Sequence, residues 1–141
     1  MAVYEKMGLC FQYPDNWILD EEEAGRGQQA VSVYSQGGAF WTVIKYASSA
    51  DPKELTVAAM NAIKTEYEDF EAVPVSETID GQTLTGFDLS FYCLDLTNTA
   101  LIRGFRTGDA TCIVICQAED REFRDTDLVF RAMTTSLVRG R

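Results

Sequence analysis

Two thiols separated by three residues, Cys112 and Cys116, are the groups most suggestive of chemistry, because neighbouring thiols can form a disulfide or bind zinc. The intervening Ile113, Val114 and Ile115 are β-branched and predict a strand. In a strand the two Cα atoms lie about 13 Å apart, whereas a disulfide needs less than about 7 Å and zinc binds sulfur at ~2.3 Å. We therefore expect both cysteines to be buried, reduced thiols.

Other catalytic groups are missing or unsuitably spaced. The chain has no histidine, which is the base that most Ser and Cys nucleophiles require. The acidic run Asp20-Glu21-Glu22-Glu23 lacks the alternating spacing and the glycine of a calcium loop, so we expect a solvated loop after a strand. The segment Gly25-Arg26-Gly27 lacks the Lys-Ser/Thr pair of a phosphate loop. We expect no catalytic residue, no metal ligand and no cofactor.

Arginines in the second half of the chain could recognise an anion. The simpler interpretation, which we favour, is that they pair with neighbouring carboxylates such as Asp120, Glu122, Asp125 and Asp127. The arginines concerned are Arg103, Arg106, Arg121, Arg124 and Arg131.

Three two-residue turns predict hairpins, because each is flanked by β-branched and aromatic residues. Gly37-Gly38 separates residues 30–35 from 40–46, Asp80-Gly81 separates 72–79 from 82–94, and Gly108-Asp109 separates 99–107 from 110–117. With a further polar connection at residues 95–98, the segment 72–117 is predicted to be a four-strand antiparallel meander. Its long strand has one apolar face, formed by Phe87, Leu89, Phe91 and Cys93.

Two helices accompany the strands. The first is predicted to begin at Asp51-Pro52, with Asp51 as the cap and Glu54 completing a capping box. Its apolar stripe is predicted to comprise Leu55, Ala59, Ala62, Ile63, Tyr67 and Phe70. The second is predicted at residues 125–136, and residues 119–124 form either its first turn or a separate one. Its apolar stripe comprises Val129, Phe130, Met133 and Leu137.

Composition predicts one folded α+β domain covering residues 1–141, since 46% of the residues are hydrophobic and only three are proline. The net charge of −10 argues against a nucleic-acid surface and against binding to anionic membranes. Residues 1–80 hold 14 acidic and 5 basic side chains, so this half could meet a basic partner. The first residues lack an apolar segment, and we expect a cytoplasmic protein with four reduced cysteines.

Without catalytic groups, binding energy must come from surface contacts, and partly exposed aromatic residues are the best anchors. Tyr34, Trp41 and Tyr46 flank the Gly37-Gly38 turn, and we predict that they bind a protein partner. Phe40 and Trp41 point to opposite faces of one strand, so that one of them can be exposed.

The chain resembles the PsbP-like superfamily, which includes PsbP, the Mog-type Ran-binding factor and DcrB-like proteins. The resemblance rests on the opening Phe11-Gln12-Tyr13-Pro14-Asp15-Asn16-Trp17, the capped helix from Pro52, Gly86 in the strand after Gly81, and a last helix ending near Ser136-Leu137. It implies an antiparallel sheet with helices on both faces, Trp17 in the core, and a mainly non-enzymatic role.

We therefore expect a non-catalytic adaptor or chaperone-like protein in the cytoplasm. The alternative is a small enzyme or small-ligand binder with a carboxylate-lined or Arg-lined pocket.

Overall fold

A computed structural model of the protein describes residues 1–24 and 28–140. Within these residues the chain forms nine strands and two helices. The strands are β1 (Ala2–Lys6), β2 (Leu9–Tyr13), β3 (Ile18–Ala24), β4 (Gln28–Tyr34), β5 (Phe40–Ala47), β6 (Glu68–Ile79), β7 (Gln82–Cys93), β8 (Leu96–Arg106) and β9 (Ala110–Glu119), and the helices are α1 (Pro52–Lys64) and α2 (Asp120–Arg139).

Seven strands form one antiparallel sheet in the order β3-β4-β5-β9-β8-β7-β6, and β1 pairs with β2 in a separate hairpin. The three predicted hairpins and the four-strand meander, β6 to β9, are confirmed. The meander meets the β3–β5 strands where β5 pairs with β9, at the centre of the sheet. The fold is therefore α+β.

The polar connection predicted at residues 95–98 is wrong, because the turn is shorter and lies earlier in the chain. The turn is Leu94-Asp95, with φ of 52° and 64°, and the ladder resumes at once because Leu96 pairs with Cys93. A type I′ turn needs positive φ at both central residues, as Asp80 and Gly81 also show at 52° and 82°. Leu94 was not expected in this conformation, since branched side chains seldom adopt it.

Helix α1 begins as predicted, with the Asp51 carboxylate accepting a hydrogen bond from the Lys53 N–H at 3.0 Å. The predicted apolar stripe is too long, because the helix ends at Lys64 and Ala62 is exposed. Both Tyr67 and Phe70 follow the helix: Tyr67 lies just before β6, and Phe70 lies at the irregular start of β6 between Glu68 and Glu71. Their rings stack on Phe91 at centroid distances of 4.4 and 6.4 Å, respectively.

Helix α2 is longer than the predicted 125–136. Residues 120–124 are its first turn, which begins where the Glu119 carboxylate accepts from the Arg121 N–H. The helix ends at Arg139, and Gly140 caps it with a φ of 73°, a conformation that suits glycine. Val129, Phe130, Met133 and Leu137 enter the core as predicted. Neither described helix has a segment long and apolar enough to cross a membrane.

Alternate residues of β9 belong to two different hydrophobic clusters. Cys112, Val114 and Cys116 belong to the cluster that includes α2 and the β1–β2 hairpin. Ile113 and Ile115 belong to the cluster that includes α1. Because successive strand residues point to opposite faces, each helix covers a different face of the sheet.

The opening heptad folds as an aromatic strand followed by a turn. Phe11 on β2 is fully buried, and the Trp17 N–H donates to the Pro14 carbonyl at 3.1 Å. The turn brings the Trp17 ring edge-on to Phe130, with centroids 6.0 Å apart. Trp17 packs against the core as expected, although its side chain is only partly buried.

Gly86 allows two strands to approach closely. A Cβ at this position would lie 1.7 Å from the Ile102 carbonyl oxygen. Because this oxygen belongs to the backbone, the strand itself would have to shift to relieve the overlap. We expect Gly86→Ala to lower the free energy of unfolding by about 3 kcal/mol, because overpacked cores must shift their backbone. Gly108→Ala is the matched control, since a Cβ there meets nothing within 4 Å. Urea unfolding measures both variants, and equal stabilities would contradict the packing described.

Candidate functional site

The β3–β5 part of the sheet is covered on one face by the β1–β2 hairpin and α2. Four side chains on this face, Val31, Val33, Trp41 and Val43, are completely buried. The Trp41 indole packs on Phe11 at a centroid distance of 4.7 Å. This face is therefore part of the core.

The opposite face of the same strands is partly exposed. It carries five large side chains, which we call the open face: Ile18, Tyr34, Phe40, Ile44 and Tyr46. Ile18, Tyr34 and Phe40 lie side by side in the register of three neighbouring strands. Helix α1 shares this face of the sheet but packs mainly on β7, β8 and β9. Among the described residues, the main contacts of α1 are with β6 to β9 and those of α2 are with β2, β8 and β9, while Tyr46 at one end of the open face packs against the cluster that includes α1.

Polar groups at the centre of the open face satisfy one another. The hydroxyls of Ser32 and Thr42 form a hydrogen bond of 2.8 Å across β4 and β5. The pKa of Tyr46 is raised because partial burial disfavours its charged form. The face therefore presents aromatic and aliphatic side chains around a hydrogen-bonded pair of hydroxyls, with the Asp20 carboxylate beside Ser32 on β3.

The structure places two of the three predicted anchors on the open face, namely Tyr34 and Tyr46. Trp41 lies on the other face, is fully buried, and donates its indole N–H to Thr134 Oγ1 at 3.0 Å. Its prediction as an exposed anchor is wrong, because residues 41 and 46 of one strand have opposite parity and cannot share a face. Partner binding by Tyr34 and Tyr46 stays a prediction.

Ile44 was missed as a candidate, and Phe40 was considered only as one of two residues, with Trp41, of which one could be exposed. Both have the parity of Tyr46 on β5, and Tyr34 lies 6.2 Å from Phe40 between ring centroids. The alternation of β5 was the available signal, since it places Phe40 with Tyr46 and opposite Trp41.

The two central cysteines are inert groups of the core. Cys112 and Cys116 are buried free thiols on β9, and the strand prediction for residues 112–116 is confirmed. Burial raises the pKa of Cys112 to about 11 and that of Cys116 to about 12, which suppresses the reactive thiolate. Among the described residues, no group of three or more Cys, Asp or Glu side chains could hold a metal.

The acidic run is a strand and not the loop that we predicted. Asp20 and Glu21 pair with Ser32 and Val31 of β4, at an edge of the sheet where charged side chains are common. Glu21 accepts from Lys6 Nζ at 3.2 Å. The side chains of Glu22 and Glu23 and the segment 25–27 lie outside the described residues.

Most of the candidate arginines contact acids or backbone at the surface. Arg131 pairs with the predicted Asp127 at 3.3 Å, while Arg121 pairs with Glu119 at 3.2 Å. Arg106 donates to the Ala50 carbonyl at 3.5 Å, and Arg124 is exposed. Arg121 and Arg131 thus pair with carboxylates as expected, although Glu119 was not among the expected partners, whereas Arg106 and Arg124 form no ion pair among the described residues.

Arg103 is the exception, because its side chain is only 8% exposed. It pairs at 2.8 Å with Asp88, an acid 15 residues earlier in the chain that was not among the expected partners. It also lines a cavity of about 280 Å³ between α2 and the strands β6, β8 and β9. Glu77 and Arg131 lie at the same cavity, which is therefore lined by both carboxylate and guanidinium groups.

No family model matches the chain, and no curated protein matches it. Solved structures are similar along almost its whole length. Cyanobacterial PsbP from Synechocystis sp. PCC 6803 has a TM-score of 0.61 at 17% identity, over 96% of this chain and 89% of that protein. PA94, a protein of unknown function from Pseudomonas aeruginosa, has a TM-score of 0.56 at 12% identity, over 97% and 95%.

A protein from Bacteroides thetaiotaomicron VPI-5482 has a TM-score of 0.59 at 12% identity, over 95% of this chain but only 46% of that protein. The chain thus has a PsbP-like fold. At these identities the similarity concerns the fold alone.

Burial predicts the reactivity of the thiols. With Ellman's reagent at pH 8, we expect the partly exposed Cys10 and Cys93 to react first. Cys112 and Cys116 should react only as the protein unfolds, because their raised pKa values leave almost no thiolate. Peptide mapping after partial labelling identifies the sites, and denatured protein supplies the control. Labelling of Cys116 at the denatured rate in folded protein would contradict this assignment.

Proposed function

We propose that this protein is a non-catalytic, cytoplasmic interaction module, an adaptor or chaperone-like protein that binds a protein partner on the open face. The observation that supports the proposal is the unequal covering of β3–β5. One face is buried under the β1–β2 hairpin and α2, while the other keeps three aromatic and two isoleucine side chains partly in solvent.

Such a surface has the properties of a binding site. Contiguous exposed apolar area is uncommon on monomers and marks interaction surfaces. The strands hold its side chains in fixed register, so little conformational entropy is lost when a partner binds. Tyr34, Phe40 and Tyr46 are rings of the type that dominate interface energies.

The charge of the protein favours one chemistry of partner. Asp20 shares the open face, because it pairs with Ser32 in the register of β3 and β4. The whole chain carries a net charge of −10. We therefore infer a partner segment with apolar side chains flanked by Lys or Arg, whose association is faster at low salt.

A small-ligand binder is the second candidate function, favoured by the cavity beside Arg103. A small enzyme would additionally need turnover, and a broad hydrolase screen tests for it. Turnover abolished by Glu77→Gln or Asp88→Asn would contradict the non-catalytic role.

The partner can be sought with a photocrosslinking amino acid placed at Ile18 in living cells. Leu128 is the matched position, because both residues are exposed aliphatic side chains, at 66% and 78%, and Leu128 lies on α2 away from the open face. A discrete adduct from position 18 and not from position 128 identifies a partner of the open face. Equal adducts from both positions would contradict the proposal.

With that partner purified, Ile18→Asp should weaken binding at least tenfold, because it places a charge within an apolar contact. Leu128→Asp introduces the same charge and should leave the affinity unchanged. Tyr34→Ala and Tyr46→Ala should each cost about 2 kcal/mol or more if these rings anchor the partner. Calorimetry measures all four variants, and equal affinities for Ile18→Asp and Leu128→Asp would exclude the open face.

A further inference from the structure

The cavity beside Arg103 lies on the α2 face of the sheet, opposite the open face. Arg103 has the parity of Leu101 on β8, and both line the cavity together with Val114 of β9. Arg103 pairs with Gly86 of β7 in the register of the sheet, and its guanidinium contacts the next two residues of that strand, Phe87 and Asp88.

The hydrogen bonds of Arg103 are incomplete. Nη1 donates to the Phe87 and Ile102 carbonyls at 3.2 and 3.0 Å, and Nη2 donates to Asp88 Oδ1 at 2.8 Å. Nε is buried and has no hydrogen-bond acceptor among the residues that the structure describes. Buried donors are almost always paired, so an unpaired guanidinium N–H at a cavity indicates that an acceptor belongs there.

The Glu77 carboxylate lies close to Nε but does not accept a hydrogen bond from it. Its Oε1 lies 3.5 Å from Nε without hydrogen-bond geometry, and its side chain is 35% exposed. Glu77 lies on β6, the edge strand of the sheet, and can turn outward into solvent. A ligand oxygen can therefore take its position beside Nε.

The remaining residues that line the cavity indicate the chemistry of the rest of the ligand. Leu101, Val114 and Phe130 supply apolar surface, and Arg131 brings a second guanidinium from α2. Two cationic side chains and one carboxylate line the cavity, which disfavours an ammonium group. The volume of about 280 Å³ is near the lower end of the range for ligand pockets and suits a compact molecule.

We propose that this cavity binds a small organic acid with an apolar body, such as an aromatic monocarboxylate. The carboxylate accepts from Arg103 Nε and faces Arg131, while the apolar body packs on Leu101, Val114 and Phe130. Charge-assisted hydrogen bonds to a guanidinium are stronger than neutral ones, so the acid binds better than its amide. This site does not depend on the open face.

Benzoate is the probe, titrated into the full chain and followed by the methyl NMR signals of Val114 and Leu101. Benzamide and benzylamine test the need for the carboxylate, and inorganic phosphate tests for a response to any anion. We expect saturable shifts with benzoate, at least tenfold weaker binding of benzamide, and no response of these methyl groups to benzylamine or phosphate.

Variants locate the site and test its charge. Arg131→Gln should weaken benzoate binding at least threefold, whereas Arg121→Gln should not. The two arginines are matched, since both lie on α2, both are exposed and each pairs with its own carboxylate, but only Arg131 lines the cavity.

Glu77→Gln should tighten benzoate binding, because it removes the competing carboxylate, and a purely structural ion pair would not give this result. Thr135→Trp, at the partly exposed cavity wall on α2, should block binding.

Absence of benzoate shifts up to its solubility limit would overturn the proposal. Equal binding of benzamide, a response to phosphate, or binding that persists in Thr135→Trp would also overturn it. If Thr135→Trp fails to fold, as judged by its amide spectrum, the opposite responses of Arg131→Gln and Glu77→Gln decide the outcome.

Discussion

The indole N–H of Trp41 donates to Thr134 Oγ1 at 3.0 Å in the buried core, and this contact helps to hold α2 against one face of the sheet. It joins β5 to α2, and the Phe11 ring, 4.7 Å from the indole between centroids, joins β5 to the β1–β2 hairpin. The hairpin is further held to α2 by a hydrogen bond of 2.9 Å from the Gln12 N–H to Ser136 Oγ. Hairpin and helix therefore cover one face of the β3–β5 strands.

The other face is left open because α1 is held over the meander. Thr111 Oγ1 donates to the Ala50 carbonyl at 2.9 Å, just before the helix. At Gly104 a Cβ would lie 2.8 Å from the Thr56 methyl carbon, so the helix packs directly on the backbone of β8. A helix of 13 residues fixed there covers the neighbouring strands and cannot also reach β3 and β4. The open face follows from where α1 begins and how short it is.

Local patterns in the sequence predicted the hairpins, the capped start of α1 and the apolar stripe of α2, because each depends on residues close in the chain. The C-terminal end of α1 was not predicted, since Tyr67 and Phe70 continue the apolar spacing of the helix. Both residues follow the helix, however, and pack on Phe91 of β7. Strand alternation predicted only that Phe40 and Trp41 lie on opposite faces of β5. The burial of Trp41 depends on α2, whose Thr134 accepts the indole N–H from a residue 93 positions away and had no sequence signal. The same holds for Arg103, whose partner Asp88 and unpaired Nε depend on the register of β7 and β8.

The central claim is that neighbouring residues of β5 meet different environments, one sealed in the core and one open to solvent. The most direct test is the relaxation of the Val43 and Ile44 methyl protons by a soluble gadolinium chelate, measured by NMR on the isolated protein. Val43 is fully buried and Ile44 is partly exposed, so the chelate should accelerate relaxation of Ile44 and leave Val43 nearly unchanged. Equal relaxation of the two residues, or protection of Ile44 in the isolated protein, would contradict the account.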